Sequence, residues 1–276
     1  FPRIMSILTR IIAQKEIEIA ALDLATLKHA ALQSPPPRDF IAELLKRKQK
    51  GFPALIAELK RASPSKGLLA PQLDLLEAAQ LYAENGAAAI SVLTDEQFFQ
   101  GKLETLQSLR FEQKIGLPLL RKEFIVSEVQ LYQTRAAGAD GVLLIAAALT
   151  DDGLLAGLHA LALDLGLTPL VEVHNEAELE RILRLEGLKL AGINNRDLNT
   201  FNVTLETTER LRPLLPPEVT VVAESGIFHG QDAARLASSG VDAVLVGEAL
   251  VTTPDIAAKV RELSGYNADK KERTLS

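Results

Sequence analysis

The chain has no cysteine and no tryptophan in its 276 residues. Without thiols it can build no disulfide framework, present no thiolate nucleophile and ligate no metal through sulfur. Its histidines are few and unclustered, which also removes the imidazole groupings of a transition-metal site. Aromatic residues make up only 4% of the chain, so Leu, Ala, Val and Ile must fill the core, and a hydrophobic share of 47% is enough for a large one. No apolar run approaches the roughly 18 residues needed to cross a bilayer. The first residues, which begin at Phe1 rather than Met, lack the basic, apolar and small-residue pattern of a secretory signal. Basic charge is also in deficit. The net charge of −6 argues against a generic nucleic-acid binder, while local lysines could still hold a small anion. These absences predict a soluble, cytoplasmic protein with neither nucleic acid nor membrane as a partner.

What is present is periodic. Residues 4–32 carry Ile4, Leu8, Ile11, Ile12, Ile19 and Leu22 at helical spacing, and Ser34-Pro35-Pro36-Pro37 ends that helix. A short helix is expected over 39–50. From Pro53 onward, apolar runs at 54–60, 87–93, 117–124, 141–147, 168–174, 190–195, 219–224 and 242–247 alternate with amphipathic stretches. Eight such units predict a (β/α)8 barrel, with a doubly wound sheet as the alternative. The expected organisation is a helical extension over 1–50, a barrel over 51–263 and a frayed polar tail over 264–276.

A barrel of this kind carries its site at the C-terminal ends of its strands. Alternate residues of a strand share a face, so Ile56, Glu58 and Lys60 point together, as do Leu120, Lys122 and Phe124, and Leu170, Glu172 and His174. Asn194 and Arg196 close the sixth run, Glu224-Ser225-Gly226-Ile227 the seventh and Gly247-Glu248 the eighth. One charged strand end is a structural ion pair. Polar or charged groups converging at six of them, two lysines and three glutamates among these, imply chemistry.

Glycines after the seventh and eighth strands let backbone N–H groups approach an anion, the usual phosphate position in such barrels. Ser225, Gly226 and Gly247 are therefore candidate phosphate contacts, with Ser63, Ser65, Lys66 and Arg196 as further donors on the rim. His174 could help to shape the site. His29, His159 and His229 are expected at the surface. The phenylalanines of Asp95-Glu96-Gln97-Phe98-Phe99 could pack their own loop or form a wall for a flat ring.

Seven stretches in order then resemble one family. They are Ala57–Gly67, Ser91–Gly101, Leu120–Ile125, Leu170–His174, Gly192–Leu198, Glu224–Ile227 and Leu245–Glu248, and the family is that of indole-3-glycerol phosphate synthase. Departures are small: Glu123 stands where the family more often has Asp, on the outward face after Lys122, and Thr204 where it tends to have an acid. The resemblance implies conversion of 1-(2-carboxyphenylamino)-1-deoxyribulose 5-phosphate to indole-3-glycerol phosphate, CO2 and water, with no cofactor or metal. It implies Lys122 as the general acid of ring closure and Glu172 as the base of dehydration. Lys60 matches a cation near the substrate carboxylate or the acid of dehydration. Glu58 and Glu224 match acids that hold the lysines and substrate hydroxyls, and Asn194 matches an orienting amide. Ser225, Gly226 and Gly247 match phosphate-side contacts, and Ser63, Phe124 and Arg196 are expected beside them as substrate or phosphate contacts. A small anionic sugar phosphate is the implied partner, and a monomer is expected. Phosphoribosylanthranilate isomerase is disfavoured, because its usual cysteine base has no counterpart here. A flavin oxidoreductase sharing the glycine loops, or a silent phosphate-binding barrel, stays as an alternative.

Overall fold

The computed structural model describes residues 6–63, 66–198 and 200–267; the expectations placed on Ile4, on Ser65 and on residues 268–276 lie outside these. The N-terminal segment forms α1 (Ile7–Ala20), α2 (Leu24–Gln33) and α3 (Phe40–Arg47). The single helix expected up to residue 32 is thus two. The Asp23 carboxylate accepts from the Ala25 N–H at 3.1 Å and starts α2 afresh. A polar cap breaks the helix there, with no glycine or proline to signal it. Asp39 caps α3 in the same way, accepting from the Ala42 N–H at 2.9 Å.

Eight parallel strands follow: β1 (Ala54–Leu59), β2 (Ala89–Leu93), β3 (Leu119–Lys122), β4 (Gly141–Ile145), β5 (Thr168–Val173), β6 (Leu190–Asn194), β7 (Thr220–Glu224) and β8 (Ala243–Val246). Each pairs with the next, and β8 returns to β1 from Ala54↔Ala243 to Ala57↔Val246. Closure leaves no open sheet edge, and the barrel rather than the doubly wound sheet is the fold. A two-stranded hairpin, Ala62–Ser63 with Gly67–Leu68, follows β1. The helices outside the barrel are α4 (Leu75–Glu84), α5 (Leu103–Gln107), α6 (Glu128–Ala136), α7 (Asp152–Asp164), α8 (Glu176–Ile182), α9 (Glu206–Leu211), α10 (Gly230–Ser238), α11 (Glu248–Val251) and α12 (Ile256–Ser264).

Alternation along the strands builds the lumen. Ala54 and Ile56, Leu120, Leu143 and Ile145, Leu170, Leu190, Val222, and Ala243 and Leu245 form one buried apolar cluster. Phe40 and Leu44 of α3 join it, and Arg38 reaches Asp140 at 3.5 Å beside the start of β4. So α3 plugs the N-terminal end of the barrel. Two expectations need correction. His159 is 2% exposed, because it shares the inward face of α7 with Leu155, Leu158 and Ala162. Ser264 and Gly265 are not frayed: Ser264 is buried at the end of α12, and a Cβ on Gly265 would meet the Phe52 ring at 2.6 Å. Among the described residues, no helix is long and apolar enough to cross a membrane.

Candidate active site

At the C-terminal end of the lumen the apolar layers give way to charge. Lys122, ending β3, is the hub. Its Nζ lies 2.9 Å from Glu224 Oε2 on β7, 3.7 Å from Glu58 Oε1 on β1 and 3.9 Å from Glu172 Oε2 on β5. Lys60 Nζ sits 3.4 Å from the other oxygen of Glu58. Two glycines make this density possible. A Cβ on Gly247 would lie 2.2 Å from Glu58 Oε2, and one on Gly192 would lie 2.4 Å from Glu224 Oε1. Each carboxylate occupies the space of a side chain missing from the neighbouring strand.

Burial works against every charge in the ring, and the contacts decide which are kept. Burial would lower the Lys122 ammonium, but Glu224, Glu58 and Glu172 outweigh it and hold its pKa above the ordinary lysine value. Glu58 is likewise buried, yet Lys60 and Lys122 keep it below the usual carboxylate range. Glu172 and Glu224 separate. Burial would raise Glu172, but His174 and Lys122 bring it down to about 2. Burial, with Glu172 beside it, raises Glu224 to about 8 despite Lys122.

His174 continues from β5. Its Nε2 lies 3.2 Å from Glu172 Oε1, and its Nδ1 lies 3.0 Å from Glu178 Oε2 on α8. Glu178 is fixed in turn: it accepts from the His174 backbone N–H at 2.8 Å and from Asn175 Nδ2 at 2.9 Å. Burial opposes a charged imidazole, but Glu172 and Glu178 raise His174 to about 10.

A cavity of about 150 Å³ opens above the ring. Its floor is Glu58, Lys60, Lys122, Glu172 and Asn194; Phe99, Phe124, Leu143 and Ile145 form apolar walls, and Ser63 and Arg196 lie on the rim. The Phe99 and Phe124 rings stand 6.0 Å apart at 36°, so Phe99 faces the cavity rather than only packing its own loop. A smaller cavity of about 60 Å³ shares Lys60, Lys122 and Arg196 and reaches Glu224, Ser225, Gly226 and Gly247. Ser225 and Gly226 take φ of +66° and +78°, which turns the chain sharply after β7. Glu58, Lys60, Lys122, Glu172, Asn194, Glu224, Ser63, Phe124, Arg196, Ser225, Gly226 and Gly247 each line one of these two cavities, whereas Lys66 and His174 line neither.

Other residues of the site were not read from the sequence. Ile7, Leu8 and Ile11 of α1 roof the larger cavity. Their helical spacing showed an apolar face but not what it covers. Buried Asn195 joins the ends of β6 and β7: its Oδ1 accepts from Thr208 Oγ1 at 2.7 Å and its Nδ2 donates to the Ser225 carbonyl at 3.1 Å. Glu178, in the first turn of α8, reads in the sequence as an ordinary helix-start glutamate. Glu248, which the sequence showed only as the charged end of the eighth run, lines both cavities and pairs with Lys66 from the hairpin loop.

Lys15 of α1 is the largest surprise. Its Nζ lies 2.7 Å from Asp95, 2.7 Å from Glu18 and 3.2 Å from Glu123, and the residue is 2% exposed. Glu123 leaves the strand end on the face opposite Lys122, but beneath α1 it is buried rather than at the surface. Asp95 Oδ1 accepts from the Phe98 and Phe99 N–H groups at 2.7 and 3.0 Å, so the same cluster shapes the loop that presents Phe99.

Known proteins resemble the chain both in fold and in sequence. The chain resembles the 3-hexulose-6-phosphate synthase of Salmonella typhimurium in fold (TM-score 0.59, 16% identity, 77% of this chain and 97% of that one). It resembles KGPDC of Streptococcus mutans similarly (TM-score 0.58, 14% identity, 82% and 100%). In sequence it is 53% identical to the indole-3-glycerol phosphate synthase of Roseiflexus castenholzii over 94% of this chain and 98% of the relative. Identity to the same enzyme of Desulforamulus reducens is 51%, over 93% and 96%. The sequence model of the family described as indole-3-glycerol phosphate synthase matches residues 8–263, and the chain belongs to that family.

Proposed function

We propose that this chain closes the indole ring of 1-(2-carboxyphenylamino)-1-deoxyribulose 5-phosphate, releasing CO2 and water to give indole-3-glycerol phosphate. One observation carries the reading. A single ammonium, Lys122, stands among three carboxylates at the boundary between an apolar cavity and a small polar one. A substrate with an aromatic ring at one end and a phosphate at the other matches that division.

The ring lies against the wall formed by Phe99 and Phe124, beneath α1. The phosphate takes N–H groups of Ser225, Gly226 and Gly247, with Arg196 and Ser63 alongside. Lys122 gives its proton to the ketone oxygen as the aromatic carbon attacks, so the new C–C bond forms without a free alkoxide. The electron pair of the breaking C–CO2 bond returns to the iminium-type ring system, which serves as the electron sink. Glu172 then removes a proton from the ring nitrogen–carbon system, and Lys60 protonates the departing hydroxyl and faces the substrate carboxylate before it leaves. Glu58 and Glu224 hold the two lysines apart and in place, and Asn194 orients the substrate. The protein acts as a cytoplasmic monomer without cofactor or metal, and residues 1–50 form one catalytic unit with the barrel over 51–263 through α1.

The test is direct. The purified protein, given the carboxyphenylamino sugar phosphate and a chelator, should generate indole absorbance, and Lys122→Ala should still bind substrate but barely turn it over. A parent protein with no turnover would sink the assignment, and full activity in Lys122→Ala would remove that lysine from its role.

A further inference from the structure

Glu172 and Glu224 are the same functional group in the same mouth, both buried and both in contact with Lys122, yet the proposed dehydration needs one of them as an ionised base. Lys122 cannot make the choice in favour of Glu172. It lies 2.9 Å from Glu224 but 3.9 Å from Glu172, so acting alone it would ionise Glu224 first. The selecting contact comes from behind. His174 Nε2 is 3.2 Å from Glu172 Oε1, on the side away from Lys122's partner oxygen, Oε2. We propose that His174, held as a cation by Glu178, is a positioning residue that assigns the shared proton to Glu224 and so leaves Glu172 free to act as the base.

The charges support this. The groups facing His174 or its partner are Glu172 on β5, Glu178 on α8, Lys122 on β3 and Glu224 on β7, with Glu58 and Lys60 of the first βα unit beyond. Three cations, Lys60, Lys122 and His174, meet four carboxyls, Glu58, Glu172, Glu178 and Glu224. One proton among the carboxyls makes the set neutral, which a buried cluster favours. Glu172 Oε2 and Glu224 Oε1 are buried without another hydrogen-bond partner, and the two carboxyls interact with one another, so one proton between them satisfies both. His174 Nε2 also lacks hydrogen-bond geometry and meets Glu172 Oε1 as an ion pair at 3.2 Å, so its charge disfavours that proton on Glu172 and leaves it to Glu224. Burial and Glu172 raise Glu224 to about 8, whereas His174 helps to bring Glu172, against its burial, to about 2. A bystander role would need only the backbone bond from His174 to Glu178; the ring contact to Glu172 adds nothing to capping α8.

This inference rests on Glu172 being the base, and the experiment separates the two. Turnover is measured against pH for the parent, His174→Gln, Glu178→Gln and Glu172→Gln. Glu172→Gln should abolish turnover at every pH; if it does not, the base assignment itself fails. In His174→Gln the acid limb of kcat should move toward neutrality by about one pH unit or more, giving roughly a tenfold loss on that limb for each unit. The loss should recover as pH rises, with KM little changed. Glu178→Gln, which touches no substrate, should move the limb in the same direction by less. An unshifted limb, or a loss equal at all pH values, would overturn the role of His174 while leaving that of Glu172 intact. Nitrogen-15 NMR of the parent at pH 7.5 gives a readout free of turnover and of any misfolding variant. Both ring nitrogens of His174 should carry protons, and a neutral imidazole would overturn the proposal.

Discussion

Two lysines of this chain are buried among carboxylates, and they are built differently. Lys15, under α1, is saturated at short range, with partners at 2.7, 2.7 and 3.2 Å. Lys122, in the mouth, has one close partner at 2.9 Å and two looser ones at 3.7 and 3.9 Å, and its cluster keeps buried oxygens without partners. The two clusters are separated by a single step of the backbone, because Lys122 and Glu123 point to opposite faces of the strand's end. Outward, short ion pairs surround the lysine and tie a helix down. Inward, it leaves charge under-satisfied, which is what a group that must exchange protons requires.

The largest expected effect tests the inward cluster. Lys122→Ala should lower kcat by about 10²–10⁴, the usual worth of a positioned general acid, with a much smaller change in substrate affinity. Next is the outward cluster. Lys15→Met should cost about 3–5 kcal/mol of stability, because it leaves buried Asp95 without its cation and Glu123 with Arg121 alone, 3.7 Å away. Urea midpoints measure this. If α1 stays folded but loosens, KM should rise through Ile7, Leu8 and Ile11, while kcat at saturation holds. Loss of kcat with unchanged stability would erase the distinction between the two lysines. A smaller effect follows from Gly247→Ala. Its Cβ would press on Glu58 at 2.2 Å, so the carboxylate must shift from Lys60 and Lys122. Overpacking of this kind costs about 1–3 kcal/mol, and kcat should fall without loss of the fold.

The barrel and its mouth were legible because both follow from short-range rules. Alternation fixed which of Glu58, Leu59 and Lys60 faces inward, and eight repeats fixed the closure. The tight turns after β7 and β8 were readable from Gly226 and Gly247, where only a glycine leaves room for the neighbours. What stayed hidden depends on distant contacts. Nothing near Lys15 marks it as buried, since its partners Asp95 and Glu123 lie many residues away and α1 looks like any amphipathic helix. His159 was misplaced for a related reason: a lone histidine in a leucine-rich helix carries no sign of which face turns inward. Glu178 was hidden by its own helix, where a glutamate in the first turn reads as an ordinary cap.

The smallest effect, and the one that separates the clusters most cleanly, is the pH dependence of stability. Glu224 has a folded value of about 8, above the 4.5 of a free glutamate, so between these values the folded chain holds a proton that the unfolded chain has released. Stability therefore falls as pH rises through that window. Glu224→Gln removes the titration while keeping an acceptor for Lys122, so the variant should gain on the parent steadily from pH 5 to pH 8. Glu123 is the opposite case. Burial is outweighed by Arg121 and Lys15, which hold it below the usual carboxylate range, and its contribution is lost only as pH falls beneath about 4.5. Glu123→Gln should then destabilise by the same amount at pH 5 and pH 8. Urea midpoints for both variants at these two values decide the matter: a flat difference for Glu224→Gln would mean that no extra proton is held in the mouth, and the contrast between a closed ion cluster and a working one would have to rest on kinetics alone.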